Sequence, residues 1–461
     1  MKLYNTLSRQ KQDFIPRQNN VAGIYSCGPT VYNYAHIGNM RTYIFMDWLR
    51  RVLRFEGFGI NHVMNITDVG HLVSDGDDGE DKMEKGAREQ KLTPWQIAEK
   101  FTQAFMSDLD ALNIEHPEII CKATDHIGEM IEFVQALCEK GYGYETSDGI
   151  YFDIGAFPGY GKLSRIDLEG QRAGARVEIN DEKRSPEDFA LWKKAPPEHI
   201  MQWPSPWGQG YPGWHIECSA MARKYLGPRF DIHTGGVDHI PVHHENEIAQ
   251  SEGLLGHEPA DIWLHGEFML VNNGKMSKSL GNTYTISDLE MRGFSPMHFR
   301  YFCAGGHYRN KLNFTFESME AAKTSYERLL TLIHSHKNGT DCPDAEVLKK
   351  LRAEMRDAIA DDLNIPKAIG TLWTLCKSPC KSREIYDTVM EIDSVLGLRL
   401  DSEPALPEPE TPDAEIAQLI EQRQAARKNK NFAEADKIRG ELRNRGIELT
   451  DTKDGVTWKR I

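Results

Sequence analysis

No stretch of about 18 consecutive apolar residues occurs in the chain, so the sequence predicts no membrane-spanning helix. The opening MKLYNTLSRQKQDF has no apolar core, so no secretory signal is expected and the cytoplasm follows as the compartment. There is no G-x-x-x-x-G-K-[ST], which excludes a P-loop ATPase. There is no H-E-x-x-H either, because Ile248 closes the segment HENEI, which disfavours a zinc-protease helix. Cysteine is sparse: eight residues, at 27, 121, 138, 218, 303, 342, 376 and 380. Their irregular spacing in a long chain argues against a disulfide framework and leaves core residues or metal ligands. Positive charge is in deficit, with Lys+Arg 55 against Asp+Glu 69 and a net charge of -14. That argues against a general nucleic-acid coat, though not against a local basic groove for a specific RNA.

What is present is organisation on several scales. A chain of 461 residues is too long for one core, and three or four units are expected. VAGIYSC (21–27) reads as a buried strand that ends in the turn Gly28-Pro29-Thr30. From Asn39 the apolar residues Met40, Tyr43, Ile44, Leu49, Val52 and Leu53 fall near helical spacing, and Gly57 closes that helix. NHVMNIT (61–67) reads as the next strand, so the segment is a βαβ unit of a parallel sheet. Helices are expected at 94–113 and 126–140, with Cys138 of the second read as packing. From about 145 to 210, short strand signals mix with Gly, Pro and charge, which reads as an inserted subdomain. Residues 213–255 return to strand, loop and helix, and helical patterns follow at 319–336, 345–363 and 382–398.

The fold class expected is α/β: a Rossmann-like parallel-sheet catalytic domain with an insertion, then an α-helical bundle and a small C-terminal module. The expected segments are a first half of the catalytic domain (1–120), a connective insertion (121–210) and a second half (211–255). A connecting domain (256–315), a helical bundle (316–402), a Pro- and acid-rich linker (403–413) and a basic module (414–461) follow. That module carries Arg423, Arg427, Lys428, Lys430, Lys437, Arg439, Arg443 and Arg445.

Two short motifs carry phosphate chemistry. His36-Ile37-Gly38-Asn39 follows a strand and a Gly-Pro turn and opens a helix, where backbone N–H groups and the helix dipole favour a phosphate. Gly38 lets a nucleotide approach the backbone. A look-alike, His126-Ile127-Gly128, is set aside because no strand or glycine turn is expected before it. GKMSKSLGN (274–282) places Lys275 and Lys278 among serines and glycines, suiting a loop that closes over a polyphosphate. Together, and in this order, they resemble the HIGH and KMSKS signatures of class I aminoacyl-tRNA synthetases. KMSKS is complete; HIGH departs at its last position, where Asn39 stands for His.

A third constellation bears on the substrate. GWHIECSA (213–220) holds Cys218, and VHHENEIAQS (242–251) holds His243 and Glu247, four apart and so on one helix face. Cys27 ends the first strand. Two thiols, an imidazole and a carboxylate are zinc ligand types. These segments, with YSCGPTVY, NITDVGH (65–71), RYF (300–302) and TWKR (457–460), are similar to those of the cysteinyl-tRNA synthetase family across nearly the whole chain. One departure is Val242, where some members carry Pro.

The resemblance implies one Zn²⁺ per chain held by Cys27, Cys218, His243 and Glu247, with the first His of VHHENE, not His244, as ligand. It implies Thr67, Trp214 and His233 beside the amino acid, together with Cys27, and Gly38, Asp238 and Lys278 beside ATP, which brings Mg²⁺. His36, Asn39, Lys275 and Lys278 would act on the phosphates. The implied partners are L-cysteine, ATP and tRNA(Cys), and a monomer is expected. A metal would serve selectivity, because ordinary contacts separate near-isosteres such as cysteine and serine only about 10–200-fold, whereas zinc binds thiolate strongly.

Two rivals share part of the pattern. The cysteine ligase of mycothiol synthesis resembles the catalytic half but acylates an amino sugar, which gives no reason for the helices and basic module after residue 316. A non-catalytic RNA-binding relative would have lost signature residues, whereas both lysines and all four ligand types are present.

Overall fold

The structure is a computed structural model that describes residues 1–70, 82–165, 182–277, 281–404, 414–429, 431–452 and 455–460. They form two compact units, Met1–Ser402 and Glu403–Ile461. Lys278 and Lys430 lie outside the described residues.

The centre of the first unit is a five-stranded parallel sheet. Its strands are β1 (Val21–Ser26), β2 (Gly59–Ile66), β3 (Ile119–Lys122), β4 (Phe230–Gly236) and β5 (Ala260–Gly266). Their spatial order is β5-β4-β1-β2-β3, and every neighbouring pair is parallel. Parallel strands buried on both faces need continuous apolar runs, which VAGIYS and HVMNI supply. Helix α1 (Ile37–Phe55) connects β1 to β2. Gly57, at φ +92°, turns the chain after that helix, a conformation glycine adopts without a Cβ clash. Helices α2 (Trp214–Leu226) and α3 (His243–Leu255) flank β4. The strand order reverses between β1 and β4, and such switch points open a crevice at the carboxyl ends of the strands.

Between the halves, residues 143–212 build a separate antiparallel sheet from Gly143–Glu145, Gly149–Phe152, Phe189–Lys194, Trp203–Ser205 and Gly208–Pro212. After β5, Met269–Val271 pairs with Gly274–Lys275 and, in parallel, with Leu312–Phe314. Helices Phe316–Lys337, Ala345–Ala360, Ile365–Cys376 and Arg383–Leu396 follow. One apolar cluster runs from Leu3 through α1 to Leu400, so the outer face of α1 and the helices share a core.

Two sequence readings change. A strand, β3, does precede His126-Ile127-Gly128. The expectation missed it because IICK is short and sits at the sheet edge. That imidazole is committed elsewhere, with Nδ1 2.7 Å from the Lys122 carbonyl and Nε2 2.8 Å from the Tyr225 hydroxyl. Helix Ile365–Cys376 went unread because Pro366 and Gly370 look like breakers. The proline stands in the first turn, where no N–H is needed, and a Cβ on Gly370 would meet nothing within 4 Å. Within the C-terminal unit Arg423 is buried. That unit packs Ala414–Lys428 and Phe432–Asn444 with the hairpin Ile447–Thr452/Gly455–Arg460 around Ile416, Ile438, Leu442, Ile447 and Leu449.

Candidate active site

A cavity of about 300 Å³ opens at the switch point. Cys27, Gly28 and Thr30 line it from the end of β1, His36, Asn39 and Tyr43 from the start of α1, and Asn65 and Thr67 from the end of β2. Trp214 and Cys218 come from α2, Gly235, Gly236 and Asp238 from the end of β4, and His243 from the start of α3. The loop after β1 passes so close to β2 that a Cβ on Gly28 would stand 1.6 Å from the Asn65 carbonyl oxygen, so only glycine fits. The Gly28 N–H donates to Asn65 Oδ1 at 2.8 Å.

His36 is the N-cap of α1. Its Nδ1 accepts the Asn39 N–H at 3.1 Å, and Asn39 Oδ1 accepts the His36 N–H at 3.1 Å. This reciprocal cap fixes both side chains and satisfies two orphan helix donors. With Nδ1 accepting, the proton of the neutral ring sits on Nε2. Asn39 thus performs a structural task that the fourth residue of the motif can do without an imidazole.

The two motifs lie together. A Cβ on Gly38 would stand 3.4 Å from Met276 Cε, and the Ile37 N–H donates to the Tyr284 carbonyl at 2.8 Å. Lys275 is exposed at the end of the short strand Gly274–Lys275. The Asn282 side chain clips the loop base, accepting the Ser277 N–H at 2.8 Å and donating to the Lys275 carbonyl at 3.1 Å. Gly281, at φ +62°, supplies the turn.

At the cavity floor, Cys27, Cys218, His243 and Glu247 converge, all buried, with one ligand atom of each within 4.8 Å of the others. The Cys27 and Cys218 sulfurs are 3.9 Å apart, Cys27 Sγ is 3.8 Å from Glu247 Oε1, and His243 Nε2 is 3.1 Å from that oxygen. Ligand atoms of a tetrahedral zinc lie about 3.3–3.8 Å apart, given metal–ligand lengths of about 2.0–2.3 Å. The donor set and its spacing therefore fit a zinc-type ion. A second set, Cys27, His233, His244 and Glu247, overlaps the first and shares two of its members.

The members of the two sets sit in different electrostatic surroundings. Burial alone would lower the His243 imidazole, but Glu247 and the Cys218 sulfur outweigh it and push it up to about 10. Burial would raise Glu247, yet His233 and His243 hold it well below the usual carboxylate range. Burial raises the Cys27 thiol, helped by Cys218, while the hydrogen bond from Cys27 and the charge on His243 bring the Cys218 thiol down against burial. His244 is the opposite case: burial and the imidazoles of His233 and His265 drive it well below the ordinary histidine value. Its Nδ1 lies 2.8 Å from His265 Nε2. The first set carries two sulfurs, Cys27 and Cys218, whereas the second replaces Cys218 and His243 by two imidazoles, His233 and His244; two soft sulfur ligands suit a zinc-type ion.

The remaining residues divide. Trp214 packs its ring 4.4 Å from that of His243. Thr67 Oγ1 donates to Glu217 Oε2 at 2.8 Å. Asp238 is exposed at the mouth. His233 does not line the cavity; it lies behind Glu247, with Nε2 2.8 Å from Oε2 and its ring stacked on Trp263. Sequence reasoning missed Asn65, Glu217 and His239. Asn65 and Glu217 sit inside segments already singled out, NITDVGH and GWHIECSA, but nothing in one sequence marks a buried Glu217 as facing Thr67.

A parallel sheet with a phosphate-ready helix at its switch point, and a lysine loop beside it, is the architecture of class I tRNA synthetases. The family described as tRNA synthetases class I (C) catalytic domain matches residues 13–324, and that described as Cysteinyl-tRNA ligase anticodon binding domain matches 409–458. A Cysteine--tRNA ligase of Treponema denticola is 45% identical over 492 residues, covering 100% of both chains. Cysteine--tRNA ligase 1 of Burkholderia lata is 47% identical over 460 residues, covering 99% of this chain and 96% of its own. The methionyl-tRNA synthetase of Mycobacterium tuberculosis bound by methionyl-adenylate shares the fold at TM-score 0.58 and 14% identity, covering 87% of this chain and 94% of that one. The chain belongs to the cysteinyl-tRNA ligase family. Among the described residues, no helix is long and apolar enough to cross a membrane.

Proposed function

We propose that this chain is a cysteine–tRNA ligase that joins L-cysteine to the 3′ end of tRNA(Cys) at the expense of ATP. The observation that carries the reading is the buried Cys27–Cys218–His243–Glu247 cluster at the floor of the cavity that the capped start of α1 borders. In the first step a carboxylate oxygen of cysteine attacks the α-phosphorus of ATP. The bond from that phosphorus to the bridging oxygen breaks, and pyrophosphate leaves cysteinyl-adenylate behind. In the second, a terminal ribose hydroxyl of the tRNA attacks the acyl carbon and AMP leaves. No protein nucleophile is required, so positioning and electrostatics carry the rate.

In this reading His36 Nε2 and the α1 N-terminus hold phosphate oxygens, with Asn39 fixing the ring. Gly38 leaves room for the nucleotide, and Asp238 meets ATP at the mouth. Lys275 and Lys278 bring positive charge as the α-phosphorus is attacked, and Mg²⁺ accompanies ATP. Thr67 and Trp214 border the amino acid. His233 acts one layer behind, orienting Glu247. A zinc ion held by Cys27, Cys218, His243 and Glu247 would supply a soft centre that distinguishes a thiolate from the hydroxyl of serine. The match of residues 409–458 to an anticodon-binding family favours a tRNA over an amino sugar as acceptor. A cytoplasmic monomer completes the reading.

The test is amino-acid-dependent ATP–pyrophosphate exchange with cysteine, serine and methionine in parallel and no tRNA present. Exchange with cysteine alone is expected. Equal exchange with serine, or exchange with methionine, would overturn the reading of the pocket.

A further inference from the structure

Arg41 lies on α1, two residues beyond the motif that caps the helix, and its side chain is buried. A buried guanidinium ordinarily finds a carboxylate. This one finds backbone instead. Nη1 donates to the carbonyls of Glu267 at 2.8 Å and Phe268 at 2.7 Å. Nη2 donates to those of His307 at 3.2 Å and Asn310 at 2.5 Å.

The four acceptors belong to two segments far apart in sequence. Glu267 and Phe268 directly precede Met269–Val271, the strand whose hairpin leads to Lys275. His307 and Asn310 precede Leu312–Phe314, which pairs with that same strand. The segments are also tied to each other, the Glu267 N–H donating to the Tyr308 carbonyl at 2.8 Å. One cation therefore gathers both roots of the small sheet that carries the lysine loop. On the loop's far side, the Ile37 N–H holds the Tyr284 carbonyl at 2.8 Å. The loop is anchored to α1 at entry and exit, and both anchors lie next to His36 and Asn39.

From this geometry we infer that Arg41 is the positioning residue that sets the lysine loop in register with the phosphate-binding end of α1. The inference rests on the proposed role of that loop in adenylation. Only a planar fork does this task. The five N–H groups of arginine span carbonyls from two segments in one plane, whereas a lysine ammonium is a point charge with three donors. Among the described residues no acidic side chain hydrogen-bonds the guanidinium, so its fork of donors, rather than an ion pair, ties the two segments together.

The experiment compares Arg41→Lys, Arg41→Met and Lys275→Ala in full-length, zinc-loaded protein by cysteine-dependent ATP–pyrophosphate exchange, with hydrogen exchange of the amides in 269–277. Both Arg41 variants are expected to raise KM for ATP and lower kcat by on the order of 100-fold, the cost of misplacing a reacting group by about 1 Å. KM for cysteine should stay within about twofold, because Arg41 does not border the cysteine cluster. Amides of 269–277 should exchange faster while those of β1 and β2 do not. Should Arg41→Met fail to fold, Arg41→Lys, which keeps charge and length, carries the test. Wild-type ATP kinetics with unchanged exchange, or ATP and cysteine KM rising together, would overturn the inference. Lys275→Ala reads the loop separately. If it leaves exchange untouched, the loop's assigned role fails, and the hydrogen-exchange arm still decides whether Arg41 anchors it.

Discussion

Replacing Asp47 by Asn should destabilise the first unit by about 3–5 kcal/mol, the cost of leaving a buried cation without its partner. Asp47 lies on α1 and its side chain is fully buried. Its Oδ2 accepts from Arg51 Nε at 2.7 Å and from Arg300 Nη2 at 2.5 Å, while Oδ1 accepts the Glu115 N–H at 3.0 Å. Arg300 is equally buried, and its other donors reach the carbonyls of Leu396, Leu112 and Asn113. Burial lowers the Arg300 guanidinium, and the Asp47 carboxylate opposes that shift. An amide keeps the shape of the carboxylate but removes the one acidic group that, among the described residues, hydrogen-bonds Arg300, and turns one acceptor into a donor facing cations. The unit Met1–Ser402 has an unfolding entropy of about 0.8 kcal/mol/K. The loss should then lower its transition by roughly 4–6 °C in scanning calorimetry at fixed scan rate. The decisive assay is the double-mutant cycle with Arg300→Met. If the pair is a unit, Asp47→Asn/Arg300→Met should lose at least about 1 kcal/mol less than the sum of the single variants. A shift under about 1 °C, or strict additivity, would refute the reasoning.

Cys218→Ala should abolish stoichiometric zinc, measured by atomic absorption after dialysis, while wild type retains about one ion per chain; full retention by the variant would shift the ligand set to His233 and His244. Asp108 gives a pH prediction. Burial, and then Glu290, push its carboxyl up to about 6 in the fold. Because the folded value exceeds the unfolded one, the protonated fold is fully favoured below about pH 4, and that stability is lost as pH rises through about 6. Asp108→Asn should therefore stabilise the protein at pH 8 by about 1–3 kcal/mol, discounted for partial exposure, and leave it unchanged near pH 4. An equal effect at both pH values in thermal melts would contradict this.

How much of this could be read in advance varied with the range of the interaction involved. The first βαβ unit was legible because its signals are local: an apolar run, a Gly-Pro turn, helical spacing and Gly57. The ligand types were legible too, but their convergence was not. Cys27 and Cys218 meet because α2, which carries Cys218, packs across β1 and β2, and Cys27 stands at the end of β1. His233 shows the limit most clearly. It was read as part of the pocket, but it stands on β4 with its ring against Trp263 and Glu247, on the side of the cluster away from the cavity. No period-two argument fixes which face of a fully buried parallel strand meets the ligand, since both faces are apolar or packed. The Arg300 network was invisible for the same reason: its carbonyl acceptors belong to residues whose side chains say nothing about it.

These buried arginines suggest how the parts of the first unit act together. α1 carries His36 and Asn39 at one end and Asp47 and Arg51 further along. At its start Arg41 and the Ile37 N–H hold the lysine-loop segment. Two turns on, Asp47 holds Arg300, and Arg51 reaches the Ser394 carbonyl of the last bundle helix at 3.0 Å. Trp48 Nε1 donates to Leu396 beside it, also at 3.0 Å. A guanidinium bonded to several carbonyls tolerates little displacement, because each lost bond leaves a buried polar group unmatched. One helix thus fixes the loop and the bundle relative to the same His36–Asn39 end. On the proposed function, an acceptor that engages the bundle would act on a frame already in register with the proposed adenylation site, so the two steps can share one geometry without a separate device to align them.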